Sequence, residues 1–238
     1  MPTMQLSYLY NDGEIFAVYK PPGVHSVRLP AGGGESVADE LLALHPELSL
    51  SSKNPGDAGL VHRLDRDTSG VLLGATTRPV WEKLFEGVMN GAVEKSYVLL
   101  VEGEFSRDQT LSSFIGSPNR GAKKMKVYES APPDWARALY GTTSYRTLSY
   151  FPNHDASLLI ASASPARRHQ VRLHAGHLGH PLLGDALYGS KRSLPLERGP
   201  AREFFLHAAS VSFAHPNTGQ RIVIESPYDV PLGDLSGI

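Results

Sequence analysis

Short apolar runs separated by turn residues fill most of the chain, and the runs are of strand length. EIFAVYK, VLLGAT, SYVLLVEGEF, TSYRTLSYF, SLLIASAS, HQVRLHA, ASVSFAH and RIVIESP concentrate Val, Ile, Leu, Tyr and Phe over four to ten residues, as β-strands do. Gly, Pro, Asn, Asp and Ser clusters punctuate them at YNDGE, KPPG, LPAGGGES, SSKNPGDAG, GSPNRG, SAPPD and YFPNHDAS, which marks turns. Helical spacing is rarer. SVADELLALHP opens on Ser and repeats apolar residues at i, i+4 and i+7, and PVWEKLFEGVMNG has Pro near its start and Gly after its end. Both helices are expected to pack on a sheet. The pattern predicts an α+β fold with a mixed, largely antiparallel central sheet and flanking helices and loops, in a single domain over residues 1–238. Residues 190–202 read as an irregular exposed insertion.

Composition narrows the chemistry. A chain of 238 residues with 41% hydrophobic content has ample material for a core. It contains no cysteine, which excludes disulfides, thiolate metal sites, Fe–S clusters and a cysteine nucleophile. The N-terminal stretch has no basic segment followed by an apolar one, and no window of about 18 apolar residues occurs. A soluble, cytoplasmic protein is expected. The net charge of −1 argues against non-specific coating of nucleic acid, yet the charge is uneven. PNRGAKKMKV carries Arg120, Lys123, Lys124 and Lys126 without an acid, and SPARRHQVR carries Arg167, Arg168 and Arg172 likewise. Such tracts suit a polyanion.

The densest charge pattern is GLVHRLDRDTSGVLL, residues 59–73, where Asp65 sits between Arg63 and Arg66. Its bland reading is a solvated, ion-paired loop in which Arg63 pairs with Asp65 or Asp67. The segment, however, leads from the loop KNPGDAG into an apolar strand, so Asp65 is expected where a loop enters the core. A carboxylate flanked by cations there stays ionised and can act as nucleophile or base. Asp65 and Asp67, about 7 Å apart on one face of an extended segment, also permit a glycoside-hydrolase pair. His169, His174, His177 and His180 in RRHQVRLHAGHLGHP read as hydrogen-bonding residues on a strand rather than as metal ligands. On that strand Arg172 shares a face with Gln170 and His174. GDALYGSK fails the phosphate-loop pattern, because Gly189 is followed by Ser190 and not by Lys.

Taken in order, FAVYKPPGV, GLVHRLDRDTSGVLL, EKSYVLLVEGEF, RRHQVRLHAGHLGHPLLGDALYG and LHAASVSFAHPNTG resemble the RluA-type pseudouridine synthases. One departure falls at Ala166, Arg167 and Arg168, where the family usually has Gly-Arg-Thr. It bears on loop contacts to RNA and leaves the His-Gln-x-Arg core intact. IFAVYKPPG begins within twenty residues of the start, so no separate N-terminal RNA-binding module is expected.

The resemblance implies an isomerase that flips a uridine out of structured ribosomal or transfer RNA, breaks its N1–C1′ bond, rotates the base and rejoins it through C5. No cofactor or metal is implied, and the protein is expected to work as a monomer. Asp65 matches the family's essential aspartate, as nucleophile or general base. Arg172 matches the arginine that keeps that aspartate ionised and aimed. Tyr97 matches the tyrosine that stacks on the flipped base and moves a proton. Arg63, beside His62, matches the residue that fills the gap left in the RNA stack. Leu206 and Val211 supply apolar walls, Lys20 and Lys95 steady loops or phosphates, and Lys123, Lys124, Arg167 and Arg168 are expected on phosphates. The rival reading is a catalytically inert RNA-binding protein on the same fold.

Overall fold

A computed structural model describes residues 5–29, 34–119, 121–195 and 200–232. Its strands are β1 Ser7–Asn11, β2 Ile15–Lys20, β3 Ser69–Ala75, β4 Glu94–Glu102, β5 Gln109–Gly116, β6 Lys126–Tyr128, β7 Leu139–Phe151, β8 Ala156–Ala163, β9 Leu206–Ala214 and β10 Arg221–Glu225. The helices are α1 Val37–Leu44, α2 Arg78–Asn90 and α3 Gln170–His177. The expected α+β class with largely antiparallel pairing is what forms. Two compact units are distinguishable: residues 1–94 with 207–228, and residues 95–206 with 229–238.

In the first unit the strand order is β1-β2-β3-β9-β10. Every pairing is antiparallel except β3 with β9, which run parallel through Ser69 opposite His207 and Gly70 opposite Ala208. Gly70 is required there, because a Cβ would lie 2.2 Å from the Ala208 carbonyl oxygen and φ is +113°. β3 is buried along its whole length, so its sequence runs apolar without alternation. α2 lays Val80, Trp81, Leu84 and Val88 on this sheet beside Val71, Leu73 and Phe213, and the Trp81 indole donates to Leu60 O at 3.0 Å. The signals read from sequence hold at both helices. Ser36 caps α1 by accepting from Asp39 N, and Gly91 ends α2 in the left-handed region.

In the second unit the order is β4-β8-β7-β5-β6, all antiparallel. α3 covers one face of that sheet. The reading of HQVRLHA as a strand is thereby corrected: Gln170–His177 is helical, with Leu173 N bonded to His169 O at 2.8 Å. Six of its eight residues are buried, so no polar face exists to write a helical period into the sequence. Its strand-like alternation is accidental. Gly141 on β7 admits α3, since a Cβ there would stand 2.5 Å from the Gln170 side-chain oxygen.

Among the described residues no helix is long and apolar enough to cross a membrane. Arg120, residues 30–33 of the LPAGGGES turn and residues 196–199 of the expected insertion lie outside the described residues.

Candidate active-site residues

Asp65 begins a turn, closed by Thr68 N on Asp65 O at 3.1 Å, that feeds directly into β3. The turn is held from beneath. Lys20, at the end of β2 and fully buried, donates to the carbonyls of Pro21, Val24 and Arg66 at 2.9, 2.7 and 2.8 Å. Gly23 N also donates to Arg66 O at 2.9 Å. One residue before Asp65, the Ser26 hydroxyl both donates to Leu64 O and accepts from Leu64 N, each at 2.9 Å. Asp65 is therefore half-buried on a backbone fixed at both sides. Burial pushes the Lys20 amine down to about 7, against the attraction of Asp67 and then Asp65. Of the two roles expected for Lys20, steadying a loop is the one its contacts perform.

The Arg63 ion pair differs from the one the spacing suggested. Its guanidinium donates to Asp57 Oδ1 at 2.9 Å, on the loop before it, and the side chain stays more than half exposed. The shared loop geometry brings Asp57 close, and sequence distance alone hid it. Next to it, His62 accepts from Leu73 N through Nε2 at 3.2 Å, a bond that anchors the loop to β3.

In the second unit Tyr97 lies on β4 with its ring almost wholly buried. Pairing with β8 places Tyr97 opposite Ala161, which is opposite Tyr145 on β7. Directly opposed residues share a sheet face, so Tyr97 and Tyr145 face the same side. That side is the one α3 covers, because the Tyr145 hydroxyl donates to Val171 O at 2.7 Å. The unit thus collects Tyr97 and the Arg172 helix on one face. Arg172, buried, binds Asp185 with both arms of its guanidinium, at 2.7 and 2.9 Å, and its charge lies over the rings of Phe204 at 4.2 Å and Tyr188 at 5.2 Å. The GDALYG segment, which carries no phosphate-loop signal, supplies both Asp185 and Tyr188. Nothing in its local pattern marks them; only the fold brings them to Arg172.

The two basic tracts converge at the start of α3. Arg168 donates to Lys123 O at 3.3 Å, and Arg167 to Tyr140 O at 3.3 Å. The Lys124 ammonium lies 5.6 Å above the Tyr188 ring, whose hydroxyl accepts from Met125 N at 2.9 Å and bonds His169 Nδ1 at 2.8 Å. Lys123, Lys124 and Arg168 are exposed and Arg167 is half-buried. Leu206 and Val211 are both buried on β9, and Val211 packs in the first unit's core with Val71 and Phe213.

Residues 14–177 match the RNA pseudouridylate synthase family. The chain is 34% identical over 231 residues to the ribosomal large subunit pseudouridine synthase C of Yersinia pestis, covering 94% of this chain and 66% of that protein. It is 32% identical over 228 residues to the protein of the same name from Haemophilus ducreyi, covering 93% and 65%. The chain thus spans just under two thirds of the length of these relatives. Its fold is similar to that of human RNA pseudouridylate synthase domain containing 1, with a TM-score of 0.68 at 24% identity, over 96% of this chain and 86% of that one. With the motif blocks matched in order, the clamped Asp65 turn in place and the family match spanning most of its length, the chain belongs to the RluA-type RNA pseudouridine synthase family.

Proposed function

We propose that the protein is an RNA pseudouridine synthase that converts uridine to pseudouridine in structured RNA, without a cofactor. The observation that carries the reading is the Asp65 turn. A half-buried carboxylate is held on a backbone pinned by Lys20, Gly23 and Ser26, in a chain of this family. Glycosidic cleavage develops positive charge at C1′, and an ionised carboxylate opposite that carbon stabilises it or bonds to it. Asp65 takes this role, as nucleophile or base. Arg172 serves to keep it ionised, and Tyr97 stacks on the flipped uracil and moves a proton.

Arg63, exposed and tethered at Asp57, is the side chain that enters the RNA stack, with His62 beside it. Leu206 and Val211 contribute apolar walls. Lys123, Lys124, Arg167 and Arg168 bind phosphates. We place the substrate in ribosomal RNA before transfer RNA, on the strength of the large-subunit name that the bacterial relatives carry. Residues 1–238 act as one catalytic domain, in a monomer working in the cytoplasm.

The test maps pseudouridine in total RNA from cells with the gene, without it, and with Asp65→Asn in its place. At least one site is expected to vanish on deletion and to stay absent with Asp65→Asn. The substituted protein should fold and bind RNA, since the amide keeps the shape and loses the charge. Activity above about a percent of wild type removes Asp65 from its role, and an unchanged map leaves the inert RNA-binding reading standing.

A further inference from the structure

Lys95 is two residues before Tyr97 on β4, so the two side chains stand on one face of the strand. The residue is only 6% exposed. No hydrogen bond or ion pair reaches its amine among the described residues, and burial alone, with no carboxylate acting against it, pushes its pKa down to about 7. Lys20 in the first unit shows the usual treatment of a buried amine, with three carbonyls gathered around it. Lys95 has none of these. A lysine whose stem is buried while no protein group meets its amine is placed to meet an anion from outside the chain, and such a group beside a reactive side chain is a mark of a working site.

The reaction proposed above makes such an anion. When the N1–C1′ bond breaks, its electron pair stays on N1 and spreads over O2 and O4 of the uracil, while C1′ becomes electron-poor. The base must survive as an anion while it turns. C5 then attacks C1′, the C5 proton leaves and N1 gains one, so atoms and electrons balance with no further reagent. Positions i and i+2 on a strand are about 7 Å apart, within the reach of a lysine side chain toward a base stacked on Tyr97.

We propose that Lys95 is a further catalytic residue, whose ammonium contacts the flipped uracil and stabilises the negative charge on its oxygens while the base is detached from the sugar. The inference rests on the pseudouridine synthase reading and assigns a residue that reading leaves unused. The gain is of the preorganised electrostatic kind, largest where water is excluded.

The test compares wild type with Lys95→Met, similar in length and uncharged, on unmodified large-subunit ribosomal RNA transcribed in vitro. Lys95→Met is expected to be at least as stable as wild type to heat, to bind this RNA within about threefold, and to lose about 10²-fold in single-turnover conversion. With 5-fluorouridine in the RNA, the fluorine itself stabilises the anion. The variant's deficit in breaking the N-glycosidic bond should then shrink about tenfold. A variant that unfolds overturns the proposal, because it shows the ammonium to be paired. Weaker binding with a flatter salt dependence and unchanged conversion of bound RNA also overturns it, in favour of a phosphate contact. So does a deficit of equal size with 5-fluorouridine. Wild-type protein that forms no pseudouridine in this RNA overturns the parent reading and this one with it.

Discussion

Arg172 and Asp185 form a buried two-pronged ion pair, Nε to Oδ2 at 2.7 Å and Nη2 to Oδ1 at 2.9 Å, joining α3 to the GDALYG segment thirteen residues on. The fork fixes the guanidinium plane, and the Phe204 ring against it excludes water. Asp185→Ala removes that bidentate acceptor and is expected to cost about 3 kcal/mol or more of stability. Urea unfolding measures it; a loss under about 0.5 kcal/mol would show that the pair contributes nothing net.

Tyr97 separates stacking from proton transfer. Tyr97→Phe keeps the ring face, whose stacking is of order 1–3 kcal/mol per base, and deletes the hydroxyl. A hydroxyl that moves a proton after C5 rejoins the sugar is a general acid–base group, so single-turnover rate should fall about 10²-fold. A wild-type rate in this variant would leave the proton to Asp65 or to water.

The convergence of Lys123, Lys124, Arg167 and Arg168 at the start of α3 brings two distant tracts into one cationic surface, the one proposed to bind phosphates. Removing one phosphate-binding cation should flatten the log–log salt dependence of RNA binding by about one unit. A variant with Ala at all four positions should flatten it by about four units while converting bound RNA at near wild-type rate. An unchanged slope places the RNA elsewhere.

His174 on α3 is fully buried between the Ser113 and Thr143 hydroxyls, each at 2.9 Å. Burial first, and nearby His177 second, push its pKa from 6.5 down to about 4. Between those values the unfolded chain holds a proton that the folded one does not. The stability from neutral His174 is therefore full above pH 6.5 and lost as pH falls toward 4, on the order of 3 kcal/mol in all. His174→Gln, which keeps hydrogen bonding and removes the titration, should flatten the melting-temperature profile across that window. A wild-type profile in the variant would assign the acid sensitivity to other groups.

Local pattern sufficed for the strand-rich α+β class, the ends of α1 and α2, and the Asp65 loop leading into a buried strand. Each is written within a few residues, in Ser36, Gly91 and the unbroken apolar run of β3. Motif order added the family, and through it Asp65, Tyr97 and Arg172. That HQVRLHA is a helix emerges only on folding, because a helix buried on nearly every side carries no polar face for a period to reveal. Folding alone pairs Arg63 with Asp57, Arg172 with Asp185 and Lys20 with three carbonyls. It also leaves Lys95 buried without a partner among the described residues. Ion pairs and desolvation depend on distance in space, which sequence separation does not encode; a lysine two residues from a tyrosine reads the same whether it faces water or the core.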